Sequence, residues 1–382
     1  MTSMLKTYKT LPLELARGED VWVWDTAGRQ YLDLYAGHAV CSTGHCHPRV
    51  VKAIQEQAGK LIFYSNVAGF PLREEAAALL LKHARGFSAA LFANSGAEAN
   101  ENALKLARRH TGRPEIVAML AGFHGRTAGA MSVTGIEKYR KQSEPLVPGV
   151  TFVPFGTVPA LTERTAAVIL EPIQSMAGCK TAPAEYFQQL REACTKNGTL
   201  LIYDEVQTGI GRTGTMFFSG RYGVDADLVT LAKAIGSGIP LSAVLATPAI
   251  ADRVQYGEYG ATFGAGPVAM AAMKATLEVV ETLLPNVVDV GRHLVQQLGA
   301  TPGVLEVRGM GLLLAFKTAQ ESPVLQRALL DRGFITGTSD EPGVLRLLPP
   351  LTLTRTQVDS FLKTLGEVLK SAAPTPAGAV AR

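Results

Sequence analysis

The sequence has few cysteines, few tryptophans and a small charged fraction. Its 382 residues include four cysteines and two tryptophans, and only 18% are Asp, Glu, Lys or Arg. Four cysteines are too few for a disulfide framework in so long a chain, so we expect free thiols and a reducing compartment. The formal net charge is only +4, and like charges form no long block. Nothing in the charge pattern therefore predicts a nucleic-acid partner.

Long apolar runs are also absent. No uncharged stretch approaches the roughly 18 residues that a membrane helix needs. The basic residue Lys6 is not followed by the apolar run of a secretory signal. We therefore expect a cytoplasmic protein without membrane contact. With 47% hydrophobic residues, the chain is long enough for one large or two ordinary domains around a substantial core.

Seven short apolar runs alternate with polar turns and helical stretches between about residues 85 and 250. Continuous apolar runs predict strands buried on both faces, and intervening helices predict parallel pairing. We therefore predict an α/β fold with a mostly parallel sheet flanked by helices. Ligands of such sheets bind beyond the carboxyl ends of the strands. The runs lie at residues 89–93, 116–120, 151–154, 167–170, 199–203, 228–231 and 242–246.

The two flanks have a different pattern. Residues 1–50 contain a hairpin-like unit, and a long helical stretch from residue 267 to about 299 precedes short strands and a final helix from Thr356. We predict that 51–266 form a large domain and that 1–50 join 267–371 in a smaller α+β domain. The Pro- and Ala-rich tail, 372–382, is predicted to be disordered.

Polar residues follow three of the predicted strands. Residues 94–100 open a helix with small side chains, so Ser95 and the backbone N–H groups form either a phosphate site or an ordinary N-cap. Asp204 ends a buried strand and needs a partner, for which a cationic ligand is one candidate. Lys233 is either a snorkelling surface residue or an amine whose pKa is lowered for Schiff-base chemistry.

Two other motifs are less informative. Residues 209–214 match the dinucleotide-binding fingerprint, but a polar segment separates them from the strand and no helix follows. Cys41 with residues 45–47 suggests a metal site, yet adjacent side chains diverge along the backbone and the separated ligand pairs of zinc sites are missing. We therefore expect a polar loop there and no metal.

A phosphate site, an Asp for a cationic ring nitrogen and a Schiff-base lysine together match the needs of pyridoxal 5'-phosphate (PLP). From about residue 10 to 370, the sequence resembles the class III PLP-dependent aminotransferases of fold type I, most closely their acetylornithine-converting members. Besides Lys233, the motifs that carry the resemblance are GHCHP (44–48), NSGAEAN (94–100), FHGRT (123–127), EPIQ (171–174), DEVQ (204–207), GRTG (211–214), GATFG (260–264) and RLLPP (346–350).

The resemblance implies a role for each cofactor-site residue. Lys233 would hold PLP covalently and then move the substrate proton, while Asp204 would keep the ring nitrogen protonated. Thr262 would reach the phosphate in a neighbouring subunit, which implies an obligate homodimer with composite sites. The other implied contacts are ring stacking by Phe123, packing by Val206, a hydrogen bond from Gln207 to the ring hydroxyl, and phosphate binding by Ser95, Gly96 and Ala97.

Two arginines indicate the substrates. Arg126 resembles the residue that binds the carboxylate of acetylornithine, and Arg346 resembles the one that binds the α-carboxylate of glutamate or 2-oxoglutarate. Glu171 is the third substrate-site residue that the resemblance implies. Guanidinium groups bind carboxylates bidentately, although a surface salt bridge is the alternative for either arginine. The implied reaction moves a terminal amino group from an ω-amino substrate to 2-oxoglutarate by a ping-pong mechanism.

The sequence departs from the family in the substrate site. Where acetylornithine and ornithine enzymes usually have a glutamate that pairs with the second arginine, this chain has Met176. We therefore expect Arg346 to stay available to carboxylates, which weakens the preference for ω-amines; Ala261 replaces a usual Ser or Thr. Donors such as ornithine, 4-aminobutyrate or an acylated or carrier-bound lysine precursor, and aminomutase or racemase activity, remain alternatives. A non-catalytic protein would have lost Lys233 or Asp204.

Overall fold

The structure is a computed structural model that describes residues 5–371, so the predicted disorder of 372–382 lies outside the described residues. Its strands are β1 (Leu15–Glu19), β2 (Trp22–Asp25), β3 (Gln30–Asp33), β4 (Ala89–Ala93), β5 (Glu115–Met119), β6 (Val150–Val153), β7 (Thr165–Leu170), β8 (Leu200–Asp204), β9 (Leu228–Leu231), β10 (Ser242–Ala246), β11 (Val304–Met310), β12 (Leu313–Thr318), β13 (Phe334–Ile335), β14 (Gly337–Thr338) and β15 (Val344–Leu347). Its helices are α1 (Ala36–Ala39), α2 (Pro48–Ala58), α3 (Pro71–Lys82), α4 (Gly96–Thr111), α5 (Ala128–Ser132), α6 (Glu137–Lys141), α7 (Ala184–Asn197), α8 (Ser219–Tyr222), α9 (Pro248–Ala251), α10 (Pro267–Ala300), α11 (Ser322–Leu330) and α12 (Arg355–Ser371), with a 3₁₀ turn at Lys233–Gly236.

All seven predicted strands form one sheet in the order β4-β10-β9-β8-β7-β5-β6. The β5–β6, β5–β7, β7–β8 and β8–β9 pairs are parallel, which confirms a mostly parallel α/β sheet. The parallel pairing expected between strands joined by helices does not extend to β10, which runs antiparallel to both β4 and β9. A 3₁₀ turn and a short loop join β9 to β10. A parallel partner needs a longer crossover connection, so this short link permits only the antiparallel arrangement.

The sheet is covered on both faces. In β8, Leu201 and Tyr203 belong to the core cluster that contains Phe187 of α7, whereas Ile202 belongs to the cluster that contains α4. Successive side chains of a strand point to opposite faces, so this division places apolar helices on either side. The N-cap of α4 is Ser95 in a capping box, and its C-cap Gly112 is left-handed, which explains where the helix begins and ends.

Strands from the N-terminal and C-terminal parts of the chain share one of the two smaller sheets. The order β1-β2-β3-β13 joins the N-terminal hairpin to a strand after α11, and β3 pairs with β13 in parallel at Leu32↔Phe334 and Asp33↔Ile335. A second four-stranded sheet has the order β11-β12-β15-β14. The domain boundaries themselves stay a prediction.

This topology determines where the predicted site residues lie. Parallel strands β8 and β9 end at Asp204 and just before Lys233, while β4 ends just before the start of α4. The polar residues from three strands are thereby brought to one part of the sheet. Among residues 5–371, the helices are all too short or too polar to cross a bilayer.

Candidate active site

A cavity of about 990 Å³ lies beyond the ends of β8 and β9. It brings together residues that are far apart in the chain, as expected for a site at the edge of an α/β sheet. Thr262 is not among the residues that line it and is exposed on the surface. The predicted site residues that line it are Ser95, Gly96, Ala97, Phe123, Arg126, Glu171, Asp204, Val206, Gln207, Lys233 and Arg346.

The start of α4 forms one end of the cavity. The Ser95 hydroxyl accepts a 3.2 Å hydrogen bond from the backbone N–H of Glu98. Ser95 therefore caps the N-terminus of α4, which was the alternative to a phosphate site. The first backbone N–H groups of a helix have no partner within the helix and carry partial positive charge. A Cβ on Gly96 would lie only 2.9 Å from Val206 Cγ1. The small residue therefore lets the helix start approach Val206, and the geometry suits a phosphate.

Asp204 lies at the bottom of the cavity and is 3% exposed. Its Oδ2 accepts hydrogen bonds from His124 Nδ1 at 2.7 Å and from Asn100 Nδ2 at 2.8 Å. Its Oδ1 accepts the backbone N–H of Val206 at 3.0 Å. The buried carboxylate thus finds partners within the protein, and Oδ1, with a single protein donor, has capacity for a cationic ring nitrogen.

Lys233 lies beside this carboxylate at the wall of the cavity. Burial lowers the pKa of its amine, and Asp204 and Glu171 oppose that effect. Its φ of +46° is a left-handed conformation that costs a non-glycine residue about 1 kcal/mol or more. A strained, desolvated lysine matches an amine prepared for covalent chemistry better than a snorkelling surface residue.

Glu171 and Gln207 provide further polar groups. Glu171 Oε1 accepts the backbone N–H of Phe123 at 2.7 Å, and burial raises the pKa of this carboxyl to about 7. Gln207 Oε1 is buried and has no hydrogen-bond partner among residues 5–371. An unpaired buried acceptor is costly. It would be satisfied by a ligand hydroxyl, so Gln207 fits the ring hydroxyl of PLP.

Arg346 is almost fully buried, and its hydrogen-bond acceptors among the described residues are all neutral. It donates from Nη1 to Ser175 Oγ at 2.9 Å, from Nη2 to Tyr35 Oη at 2.7 Å and from Nε to the carbonyl of Thr338 at 2.7 Å. No described carboxylate lies within salt-bridge distance of it. Its positive charge is therefore fixed in position and not neutralised.

Arg126 is exposed at the other side of the cavity. Its guanidinium carbon lies 4.7 Å from the ring centroid of Tyr139, a cation–π arrangement. In the part of the chain that the structure describes, Arg126 forms no salt bridge. The surface salt bridge considered as an alternative is thus absent for both arginines over residues 5–371.

Comparison with known proteins identifies the family. The family model "Aminotransferase class-III" matches residues 3–369. The chain is a class III aminotransferase. Acetylornithine aminotransferase of Methanosarcina mazei is 42% identical to it over 372 residues, covering 95% of this chain and 93% of that protein. The corresponding enzyme of Methanocaldococcus jannaschii is 38% identical over 380 residues, covering 95% of each.

Solved structures of aminotransferases have the same fold as this chain. Ornithine aminotransferase of Toxoplasma gondii superposes with a TM-score of 0.91 at 29% identity, covering 97% of this chain and 93% of that chain. Acetylornithine aminotransferase of Elizabethkingia anophelis gives 0.86 at 32% identity and 96% coverage of both. The predicted family, fold, enzyme class and PLP dependence are confirmed. Within residues 5–371, no cluster of three or more His, Cys, Asp or Glu side chains could hold a metal ion.

Several residues of this aminotransferase site were missed by sequence reasoning. His124 and Asn100 bind Asp204, and Tyr35 and Ser175 bind Arg346. His124 lies within the FHGRT motif, so its position next to Phe123 could have indicated a place in the site. No feature of the sequence indicated Tyr35, because it is 311 positions from Arg346 in the chain.

The turn that follows Tyr35 has an unusual backbone. All four residues of α1 have positive φ, from 46° at Ala36 to 69° at His38, which makes it one left-handed turn. The turn places the His38 ring 4.7 Å from that of Tyr35, at the wall of the cavity. Burial, Arg346 and Lys233 lower the pKa of His38, which favours the neutral imidazole. Strain of this kind is common where a side chain must face a ligand.

Proposed function

We propose that this aminotransferase moves the terminal amino group of an N-acetylornithine-like ω-amino substrate to 2-oxoglutarate by a ping-pong mechanism. The observation that carries the proposal is the presence of two guanidinium groups, Arg126 and Arg346, in the cavity that contains Lys233, neither of which has a carboxylate partner within residues 5–371. Each is suited to a substrate carboxylate. Relatives that are named acetylornithine aminotransferases and match nearly the whole chain support this donor.

The geometry supports a role for each of these residues. When bound, PLP supplies an electron sink that stabilises negative charge on the substrate carbon that loses its proton. Lys233 has a lowered pKa, so a larger fraction of its amine is neutral and able to accept that proton. Asp204 Oδ1 would hold the ring nitrogen of PLP. Arg346 binds the α-carboxylate of 2-oxoglutarate, and Arg126 binds the carboxylate of the donor.

Ornithine, 4-aminobutyrate and an acylated or carrier-bound lysine precursor are alternative ω-amino donors. One observation favours activity towards α-amines as well. Met176 lines the cavity that contains Arg346, and no described carboxylate pairs with that arginine. An α-amino donor, whose carboxylate is attached to the reacting carbon, therefore meets an unscreened guanidinium, which weakens the preference for ω-amines. Two carboxylate-binding arginines argue against a mutase or racemase, which needs no second substrate.

We also propose a homodimer with composite sites. The exposed apolar patch, which we define as Leu61, Ile62, Phe63, Tyr64, Val67 and Phe263, includes the residue that follows Thr262 in the chain. The rings of Phe63 and Phe263 lie 5.0 Å apart, and Asn66 Nδ2 binds the carbonyls of Ala261 and Gly264. A contiguous patch of this kind is typical of an interface. A second copy on this patch would bring Thr262 towards the neighbouring phosphate site. A cytoplasmic location stays a prediction.

A half-reaction with single amino donors tests the function. The purified PLP-bound enzyme is mixed with N-acetylornithine, ornithine, 4-aminobutyrate, N-acetyl-lysine or alanine, and the loss of visible cofactor absorption is followed. We expect N-acetylornithine to react fastest and 2-oxoglutarate to restore the absorption. Failure of every ω-amine to react would contradict the proposal.

Lysine variants provide the control. Lys233→Ala should lose the visible absorption of covalently held PLP and all transamination. Lys180→Ala changes an exposed lysine outside the cavity and should keep both. Unchanged absorption in Lys233→Ala would show that another residue holds the cofactor.

A further inference from the structure

A buried hydrogen-bond chain extends from Asp204 away from the cavity. Asn100 Nδ2 donates to Asp204 Oδ2 at 2.8 Å and to the backbone carbonyl of His124 at 2.7 Å. The hydroxyl of Thr230 donates to Asn100 Oδ1 at 2.8 Å. Thr230 and Asn100 are 0% and 1% exposed, and Thr230 does not line the cavity. The chain therefore links a residue outside the site to the carboxylate inside it.

The hydrogen bonds allow only one orientation of the Asn100 amide. Its nitrogen faces two acceptors, the Asp204 carboxylate and the His124 carbonyl. A flipped amide would turn Oδ1 towards both of them and leave three acceptors together, which is repulsive. In the observed orientation Oδ1 needs a donor, and the Thr230 hydroxyl is the donor present. The Thr230 hydroxyl thus pairs with the amide oxygen in the orientation in which Asn100 donates to Asp204.

The sheet register places these groups side by side. Thr230 of β9 is the parallel partner of Asp204 of β8, and the Thr230 carbonyl accepts the N–H of Glu205 at 2.9 Å. Side chains at paired positions of adjacent strands lie on the same face. Asn100 of α4 packs over that face and bridges the two side chains.

We propose that Asn100 and Thr230 are positioning residues for the reaction, holding Asp204 so that Oδ1 faces the cofactor ring nitrogen. The two donors on Oδ2, from Asn100 and His124, occupy that oxygen, while Oδ1 keeps its free capacity. This inference rests on the role proposed above for Asp204. The other titratable groups facing Asp204 are His124, Glu171, Glu205 and Lys233.

The hydrogen bond from Asn100 affects the charge of the Asp204 carboxylate as well as its orientation. A buried carboxylate is stabilised as an anion by each hydrogen bond that it accepts. Without the Thr230 donor, the Asn100 amide oxygen is left buried and unpaired, so the amide that donates to Asp204 Oδ2 is held less firmly. Asp204 Oδ1 would then be positioned less precisely for a protonated ring nitrogen, although no residue touching the cofactor has changed.

Cofactor affinity measured with two probes tests this inference. PLP and its 1-deaza analogue, in which carbon replaces the ring nitrogen, are titrated into the cofactor-free full-length enzyme. The ratio of their dissociation constants isolates the contact between Asp204 and the ring nitrogen. We expect Thr230→Val to reduce the preference for PLP about fivefold to tenfold, the effect of one lost hydrogen bond. Thr230→Ser keeps the hydroxyl and should restore the preference.

A second variant separates positioning from folding. Asn100→Ala should reduce the preference for PLP as well, and adding Thr230→Val to it should cause little further change, because both substitutions remove the same connection. A ratio that is unchanged in Thr230→Val and Asn100→Ala, or equal loss of both probes, would overturn the inference. Absence of PLP binding to the unsubstituted enzyme would instead refute the proposed function.

Discussion

The phenolic oxygen of Tyr35 accepts a 2.7 Å hydrogen bond from Nη2 of the buried Arg346 guanidinium. Together with Ser175 and the Thr338 carbonyl, it holds the arginine without any negative charge. An arginine positioned by neutral acceptors keeps its full charge for a substrate. This explains how a deeply buried cation is available for carboxylate binding.

The first prediction concerns this neutral set of contacts. Tyr35→Phe removes one fixed acceptor, so we expect the KM for 2-oxoglutarate to rise about fivefold to tenfold. Arg346→Lys removes the guanidinium group that can bind a carboxylate bidentately, so the KM for 2-oxoglutarate should rise more than tenfold. Steady-state kinetics at saturating donor measure both. Tyr31→Phe, which loses a hydroxyl bound to Asp25 outside the cavity, is the control and should leave the KM unchanged.

The second prediction concerns Met176. Met176→Glu places a carboxylate near Arg346, where it would screen the guanidinium while an ω-amine is bound. We expect the ratio of kcat/KM for N-acetylornithine to that for glutamate to rise about tenfold, the effect of roughly 1.4 kcal/mol. Met176→Gln has a similar shape without the charge and should leave this ratio near that of the unsubstituted enzyme. An equal ratio in all three proteins would reject the hypothesis that a carboxylate at position 176 screens Arg346.

The third prediction concerns the exposed apolar patch. Phe263→Arg places a charge within the surface proposed to meet a second copy, so we expect a monomer in analytical ultracentrifugation and weakened PLP binding. Leu305→Arg changes an equally exposed apolar residue outside the patch and should leave assembly intact. Thr262→Ala should remain dimeric while its PLP affinity falls. A Phe263→Arg dimer would contradict the proposed interface.

The fourth prediction concerns stability and pH at Glu205. Burial raises the pKa of this carboxyl from 4.5 to about 7, against hydrogen bonds from Phe218 and Thr208. Between these pH values the folded chain binds the proton more than the unfolded chain does. Glu205 therefore makes the free energy of unfolding fall as pH rises from about 4.5 to 7, by at most roughly 3 kcal/mol.

Glu205→Gln removes this ionisation, so its stability should fall less between pH 5 and pH 7.5. Urea unfolding midpoints at the two pH values measure the difference. Glu192→Gln, on the exposed surface of α7, is the matched control and should follow the unsubstituted protein. Identical pH dependence in all three proteins would show that Glu205 does not titrate in this range.

Much of the central sheet was predictable because its strands are locally encoded. The bounds of β4, β9 and β10 agree with the predicted runs residue by residue, since strands that are largely buried consist mostly of apolar residues. Lys233 and Asp204 were also identifiable, because a polar residue at the end of such a strand contrasts with its surroundings. The direction of β10 could not be identified from the sequence, since it depends on the length and path of the connection between β9 and β10.

The α/β class, the family and the residues that resemble the cofactor site can be inferred from the amino-acid sequence alone, because they depend on local burial patterns and short motifs. The groups that support these residues become visible only in the folded chain. Tyr35 reaches Arg346 across 311 positions, and Thr230 reaches Asn100 across 130. Such contacts arise from strand order, register and helix packing, and no local pattern in the chain specifies hydrogen-bond partners at that separation.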